Sequence, residues 1–210
     1  GQRDSEWRLR TSFHRTGRAD LLRYYNEDVP RLYRKVHALT GLKLNLANGQ
    51  DLGTLLYLAQ HHGFPTPLLD WSHSPFIAAY FAFNEYRSLK VEKNRTVRIF
   101  EFNIDEWCQD TEQSNNPTEL SPKLSYTEFL ASGNLRAIPQ KAVTVFSNID
   151  YIEAFIQYKS LFNNKKYLKA YDIPAESYEH ALEDIYLMGI STSSLFPDLD
   201  GVCRDLREQH

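Results

Sequence analysis

Gln60 to Ala82 reads QHHGFPTPLLDWSHSPFIAAYFA, and the architecture turns on this stretch. It follows an apolar-periodic run (Leu52, Leu55, Leu56, Leu58, Ala59) that Asp51 is placed to cap. Gly63 then predicts a helix stop, with His61 and His62 in the last turn. Pro67 to Trp71 reads as a short extended run. Ser74 ahead of Pro75 is an N-cap with proline at the first helical position, so a second helix is expected to about Tyr86. Helix, strand and helix therefore meet at one corner.

That corner holds three imidazoles (His61, His62, His73), the carboxylate of Asp70, the hydroxyls of Thr66, Ser72 and Ser74, and the indole of Trp71. A helix N-terminus at Ser74 to Phe76 offers unbonded N–H groups to an anion. A histidine at a helix C-terminus tends to be held protonated. The combination suits a phosphate or pyrophosphate. Plainer readings stand beside it: Asp70 as a turn cap, Ser74 as an N-cap only, Trp71 as core. Adjacent His61 and His62 diverge around a helix, so no shared metal is expected.

Upstream, Trp7 to Ser12 reads as extended, with Ser12 and Arg15 placed to add a hydroxyl and a guanidinium to the same anion site. Asp20 opens a helix, Pro30 breaks or restarts it, and Leu32 to Leu39 forms another. Downstream, Val97–Ile104, Ala142–Phe146 and Tyr167–Ile173 read as strands of a sheet. Residues 108–126 read as a long surface loop. Helices are expected from Asp150 to about Ser160 and from Pro174 to Met188, ended by Gly189. Near the end, LFPDLDG (Leu195 to Gly201) projects Asp198 and Asp200 from an apolar frame, with Asp200 as a cap of the last helix or as a ligand-facing acid next to Gly201. Strands and helices lack a regular βαβ rhythm. The fold class is therefore α+β: a single domain with a mixed, mostly antiparallel sheet and flanking helices.

The chain has 210 residues, and its 28 aromatics (12 Phe, 13 Tyr, 3 Trp) supply ample core, which excludes disorder as the main state. No apolar run reaches the roughly 20 residues of a membrane span. No secretory signal core is visible, and the two cysteines, Cys108 and Cys203, suit reduced thiols, so a cytoplasmic location is expected. The net charge of −3 conceals an asymmetry: 15 Lys+Arg against 9 Asp+Glu in residues 1–99, and 9 against 18 thereafter. Arg3, Arg8, Arg10, Arg15, Arg18, Arg23, Arg31, Arg34 and Lys35 form the basic excess. They face phosphates of a nucleotide or nucleic acid, or else carboxylates of the acidic half.

Taken in order, these motifs resemble the FRG domain family: Gly1-Gln2, Trp7, Ser12 and Arg15; then His61-His62-Gly63, Pro65-Thr66, Leu68-Leu69-Asp70-Trp71 and Ser74-Pro75; finally Leu195 to Gly201. The resemblance extends over nearly the whole of residues 1–210. The Phe and Arg of the naming motif are not in the sequence, and Pro67 stands where the family often has Arg. The resemblance implies a layout similar to ADP-ribosyltransferases, in which NAD is the substrate. On that analogy Gln2, Ser12, Arg15, His61, Trp71, Ser72 and Ser74 would bind NAD, and His62, Asp70 and Asp200 would be catalytic, Asp70 and Asp200 being favoured over Asp198. An imidazolium is expected to lower the Asp70 pKa and keep it ionised. The family's association with bacterial toxins and phage defence implies an effector whose acceptor is a nucleic acid or protein, accompanied by an antitoxin or a fused effector domain. The competing readings are a non-catalytic nucleotide- or nucleic-acid-binding module and, last, a metal-dependent hydrolase using His61 or His62 with Asp70.

Overall fold

Among the described residues five strands form, and they pair into two antiparallel sheets rather than the one expected. A computed structural model of the chain describes residues 1–87, 94–114, 116, 119, 121–127 and 136–208. In the first sheet the order is β1 (Leu68–Ser72), β4 (Ala142–Ser147), β3 (Leu124–Thr127). The register sets Asp70 opposite Thr144 and Trp71 opposite Val143. In the second, β2 (Thr96–Phe102) pairs with β5 (Leu168–Pro174), Arg98 opposite Asp172. The amino-terminal segment lies along the other edge of β2, where Gln2 exchanges backbone bonds with Arg98 of 2.7 and 2.9 Å.

Ten helices among the described residues surround the sheets: α1 (Ser12–Arg15), α2 (Leu21–Arg23), α3 (Val29–Thr40), α4 (Gly49–His61), α5 (Pro75–Phe83), α6 (Ile104–Asp110), α7 (Ile152–Asn163), α8 (Tyr178–Leu187), α9 (Thr192–Leu195) and α10 (Leu199–Glu208). None is long and apolar enough to cross a membrane. Asp20 caps α2 as expected, its side chain accepting from Arg23 N. Pro30 does not break the run. Residues 24–28 form a wide π-turn that joins α2 to α3, and this accommodates a ring that lacks an N–H. Two other expectations change. Asn48, not Asp51, caps α4, because its side chain reaches Gln50 N and Asp51 N, while Asp51 accepts from Asn45 N. Ser12 opens α1, with Thr11 as its cap.

The expected loop at 108–126 is also corrected. Cys108 to Asp110 complete α6, and Leu124 to Thr127 are a strand, while residues 115, 117, 118 and 120 lie outside the described set. β3 is four residues long, and its pairing with β4 supplies what its own pattern does not declare.

Strand alternation distributes the core. Leu68 and Phe146 face the helices, joining Phe13, Tyr24, Leu55 and Leu56. Leu69, Trp71 and Val145 face the other way, into a cluster between the sheets with Phe100, Phe102, Trp107 and Tyr167. Beyond β2, Val97 packs under α5 and α8 with Tyr80, Phe83 and Leu182. Gly201 meets the carbonyl oxygen of Phe196 so closely that a Cβ there would sit 1.9 Å from it. The close approach permitted by this glycine is thus to backbone and not to a ligand. Gly201→Ala is expected to lower stability by about 1–3 kcal/mol, because a carbonyl cannot move aside as a side-chain tip can; a melting curve checks this.

Candidate functional site

β1 sends Asp70 and Ser72 to one face and Trp71 to the other, so the polar corner is divided by the pleat of a single strand. Asp70 points toward the end of α4. Gln60, in the last turn of that helix, donates from Nε2 to Asp70 Oδ2 at 2.5 Å. The Gln60 Oε1 accepts from the Thr66 hydroxyl. Thr66 is fully buried and exchanges bonds with Ser12, whose Oγ accepts from Thr66 N at 2.9 Å and donates to Thr66 O at 3.1 Å. A hydrogen-bonded chain from α1 to β1 thereby fixes the carboxylate, and Ser12 acts within it as a support.

Protein crowds Asp70, and burial raises its pKa above the usual 3.8; the Gln60 bond and the Arg15 charge partly oppose this. The residue nevertheless keeps an exposed surface. Asp70 is thus hemmed in by protein on one side and wetted on the other. The lowering by an imidazolium expected from the sequence does not occur: burial dominates, and the cation that acts on Asp70 is Arg15. Tyr57, one turn before Gln60, has its phenol pushed up by burial and by the Asp70 charge.

His61 and His62 end α4, their rings 5.3 Å apart and nearly perpendicular. The shift of the His61 imidazole runs opposite to the one expected of a helix C-terminus. Burial, then Arg136, then His62 lower its pKa, and Asp198 opposes them. Arg136 binds Asp198 Oδ2 through Nε at 3.0 Å and Nη2 at 2.5 Å and lies 4.9 Å over the Phe196 ring. The other Asp198 oxygen accepts from Gly201 N at 2.8 Å, and this bond, with Arg136, holds its carboxyl below the usual range. Asp198 is therefore the cap of α10, in place of Asp200, which lies exposed in the first turn. Of the two acids in LFPDLDG, Asp198 is the one whose charge reaches His61.

The remaining candidates have other surroundings. Ser72 donates to Gln140 O at 2.8 Å and accepts from Ser74 N at 3.1 Å. Ser74 is buried and caps Ile77 N; Pro75 brings no N–H, so little of the α5 terminus is left for an anion. Trp71 packs on Phe102 at 5.4 Å in the inter-sheet core. Its Nε1 and the Gln2 Oε1 are buried without a hydrogen-bond partner among the described residues. Gln2 belongs to the β2 edge, its Nε2 donating to Arg8 O at 3.3 Å. The structure thus gathers Arg15, Gln60 and Tyr57 around Asp70, places His61 and His62 at the end of the helix that carries Gln60, and turns Trp71 away. Gln60 and Tyr57 were not singled out from the sequence, although the i, i+3 spacing puts them on one helix face.

No three His, Cys, Asp or Glu side chains among the described residues gather to hold a metal ion. A separate groove of about 310 Å³ between α8 and α10 is lined by Glu179, Glu183, Asp205 and Glu208 with Arg87, an acidic wall unsuited to phosphate. Both thiols are free.

Residues 1–90 match the family model described as the FRG domain. No curated protein and no solved structure matches the chain. The matched span runs from the Gln2 edge through α1, the His61-His62 corner and β1 to α5, and it contains the Ser12–Thr66–Gln60–Asp70 chain; Leu195 to Gly201 lies beyond it. The similarity to the FRG domain family is thus carried by residues 1–90 of the 210.

Proposed function

We propose that the polar corner around Asp70 takes NAD as a substrate and that the protein is an ADP-ribosyltransferase-like effector, passing ADP-ribose to a macromolecular acceptor or to water. The observation that carries this reading is Asp70 itself: a carboxylate oriented by Gln60, its pKa raised by burial although the residue keeps an exposed surface, with Arg15 nearby. Perturbed carboxyls that solvent can still reach mark candidate sites. In such a transfer the nicotinamide–ribose bond breaks, and nicotinamide leaves with the bonding pair. The ribosyl carbon gains positive charge, which a fixed carboxylate opposes. A hydroxyl or water then adds to that carbon, and its proton passes to a base. Asp70, more basic than an ordinary carboxylate, serves as the charge partner and as that base. Arg15 engages the pyrophosphate, and His61 and His62 line the approach. A role in toxin or phage-defence systems follows from the family resemblance alone.

The test is nicotinamide release from NAD, with and without a chelator, alongside calorimetric binding of NAD and ADP-ribose. Release indifferent to the chelator is the expected result. Binding without release would make the chain a non-catalytic nucleotide-binding module. Chelator-sensitive hydrolysis would replace the proposal with metal-dependent chemistry.

A further inference from the structure

The structure sorts the basic residues of the amino-terminal half into two groups. Most are engaged. Arg3 pairs with Glu85, Arg10 with Asp150, Arg18 with Asp28, Arg23 with Glu27, Arg95 with Asp4, and Arg98 with Asp172. Arg8 lies over the Tyr151 ring, and Arg15 acts on Asp70. Arg31, Arg34 and Lys35 differ. They stand exposed on α3 at i, i+3 and i+4, forming one ridge, and engage no carboxylate among the described residues. Lys43 is exposed beyond the helix end, and residues 29–50 contain no Asp or Glu.

Unscreened cations about 5–6 Å apart on one helix face repel each other and weaken the helix. The dipole does not offset this, because the last turn of α3 holds His37 and not these three. The opposite face is occupied: Leu32, Tyr33 and Val36 pack against the core. A membrane-surface helix needs that apolar face for the lipid. The ridge therefore presents charge alone, in a row, which is the chemistry of a phosphodiester backbone contact.

We propose that the Arg31–Arg34–Lys35 ridge of α3 docks a nucleic-acid backbone. The inference does not depend on NAD turnover at Asp70.

The test is fluorescence anisotropy of the full chain with a short labelled DNA duplex and a short labelled single-stranded RNA across a salt series. Three phosphates contacted on the duplex give a log–log slope near about −2.7, so affinity should fall roughly 40-fold between about 50 and 200 mM salt. The triple variant Arg31→Gln, Arg34→Gln, Lys35→Gln should flatten the slope toward zero. Arg31→Gln alone should reduce its magnitude by about 0.9 and remains readable if the triple variant folds poorly. A charge-matched control, Arg18→Gln, Arg23→Gln, Arg95→Gln, removes only ion-paired arginines and should retain most of the slope. Nicotinamide release, measured on the same variants, should not change. Equal loss in the control, salt-independent binding, or binding to phosphatidylserine vesicles in place of nucleic acid would each overturn the proposal.

Discussion

Nicotinamide release by Asp70→Asn falls by about 10²–10³-fold while the protein melts at the same temperature as the unaltered chain or higher. The two halves of this expectation share one cause. Asn keeps the shape of the side chain and an oxygen to accept from Gln60, so the Ser12–Thr66–Gln60 chain survives. What is lost is the negative charge that faces the ribosyl centre. Burial raises the Asp70 carboxyl above its usual 3.8, so the folded chain holds that proton more tightly than the unfolded one. The stabilising contribution is complete below 3.8 and is lost as pH rises through the raised folded value. At neutral pH an ionised Asp70 therefore costs the fold something, and neutralising it removes that cost. Asp198→Asn gives the opposite stability pattern. The Gly201 N–H and Arg136 lower the Asp198 carboxyl, so its contribution is present above 3.8 and fades as pH falls through the folded value. Asp198→Asn should melt early at neutral pH, and the difference should close in acid. Early melting with unimpaired turnover per folded molecule for Asp70→Asn would show that the carboxylate is structural and would remove it from the site.

Trp107→Ala lowers stability by about 3–5 kcal/mol, the range for an aromatic truncated inside a core. Trp107 is 1% exposed and meets Phe102, Phe155 and Tyr167 at ring distances of 5.3 to 5.9 Å. Its Nε1 donates to Leu124 O at 2.8 Å. One side chain of α6 therefore touches β2, β3, α7 and the residue that enters β5. Truncation leaves a cavity between the two sheets and strips a buried carbonyl of its donor. Domains of this size melt about 2–4 °C lower per kcal/mol, so a fall on the order of 10 °C or more is expected by circular dichroism. Trp107→Phe retains most of the ring and forfeits the hydrogen bond, and it should lie between the two. A shift of a degree or two for the alanine variant would mean that the inter-sheet core is not what holds β1 against β2.

The elements legible in the sequence are those whose signals sit within a few residues. Ser74 ahead of Pro75 starts α5, and Asp20 starts α2, because a cap needs only its own side chain and the next turn's N–H groups. Gly63, at φ 81°, ends the His61-His62 turn because the left-handed conformation there suits glycine. β2 is legible from apolar alternation and β4 and β5 as short strand-like runs, and the α+β class follows from their order relative to the helices. The FRG match spans residues 1–90, the part of the chain that holds these signals. Where the signal was divided between neighbours, the reading slipped by a few residues: Asn48 took the cap assigned to Asp51, and Asp198 the one assigned to Asp200.

Tertiary structure decided everything that depends on a partner far along the chain. Whether strands form one sheet or two is set by which edges meet, and Leu68 finds Phe146 although α5, β2, α6 and β3 lie between them in the chain. The split of the polar corner follows from the same fact. In sequence Asp70 and Trp71 are neighbours, but the pleat gives one to Gln60 at the end of α4 and the other to Phe102, and only the packing of both sheets says which face is wet. The Asp70 pKa belongs to this level too, since desolvation arises from atoms that surround it in space and not in sequence. Composition revealed a basic half and an acidic half. Only the fold showed that Arg10 and Arg98 spend their charge on Asp150 and Asp172, while Arg31, Arg34 and Lys35 keep theirs, because an ion pair forms where two side chains are brought within a few ångströms.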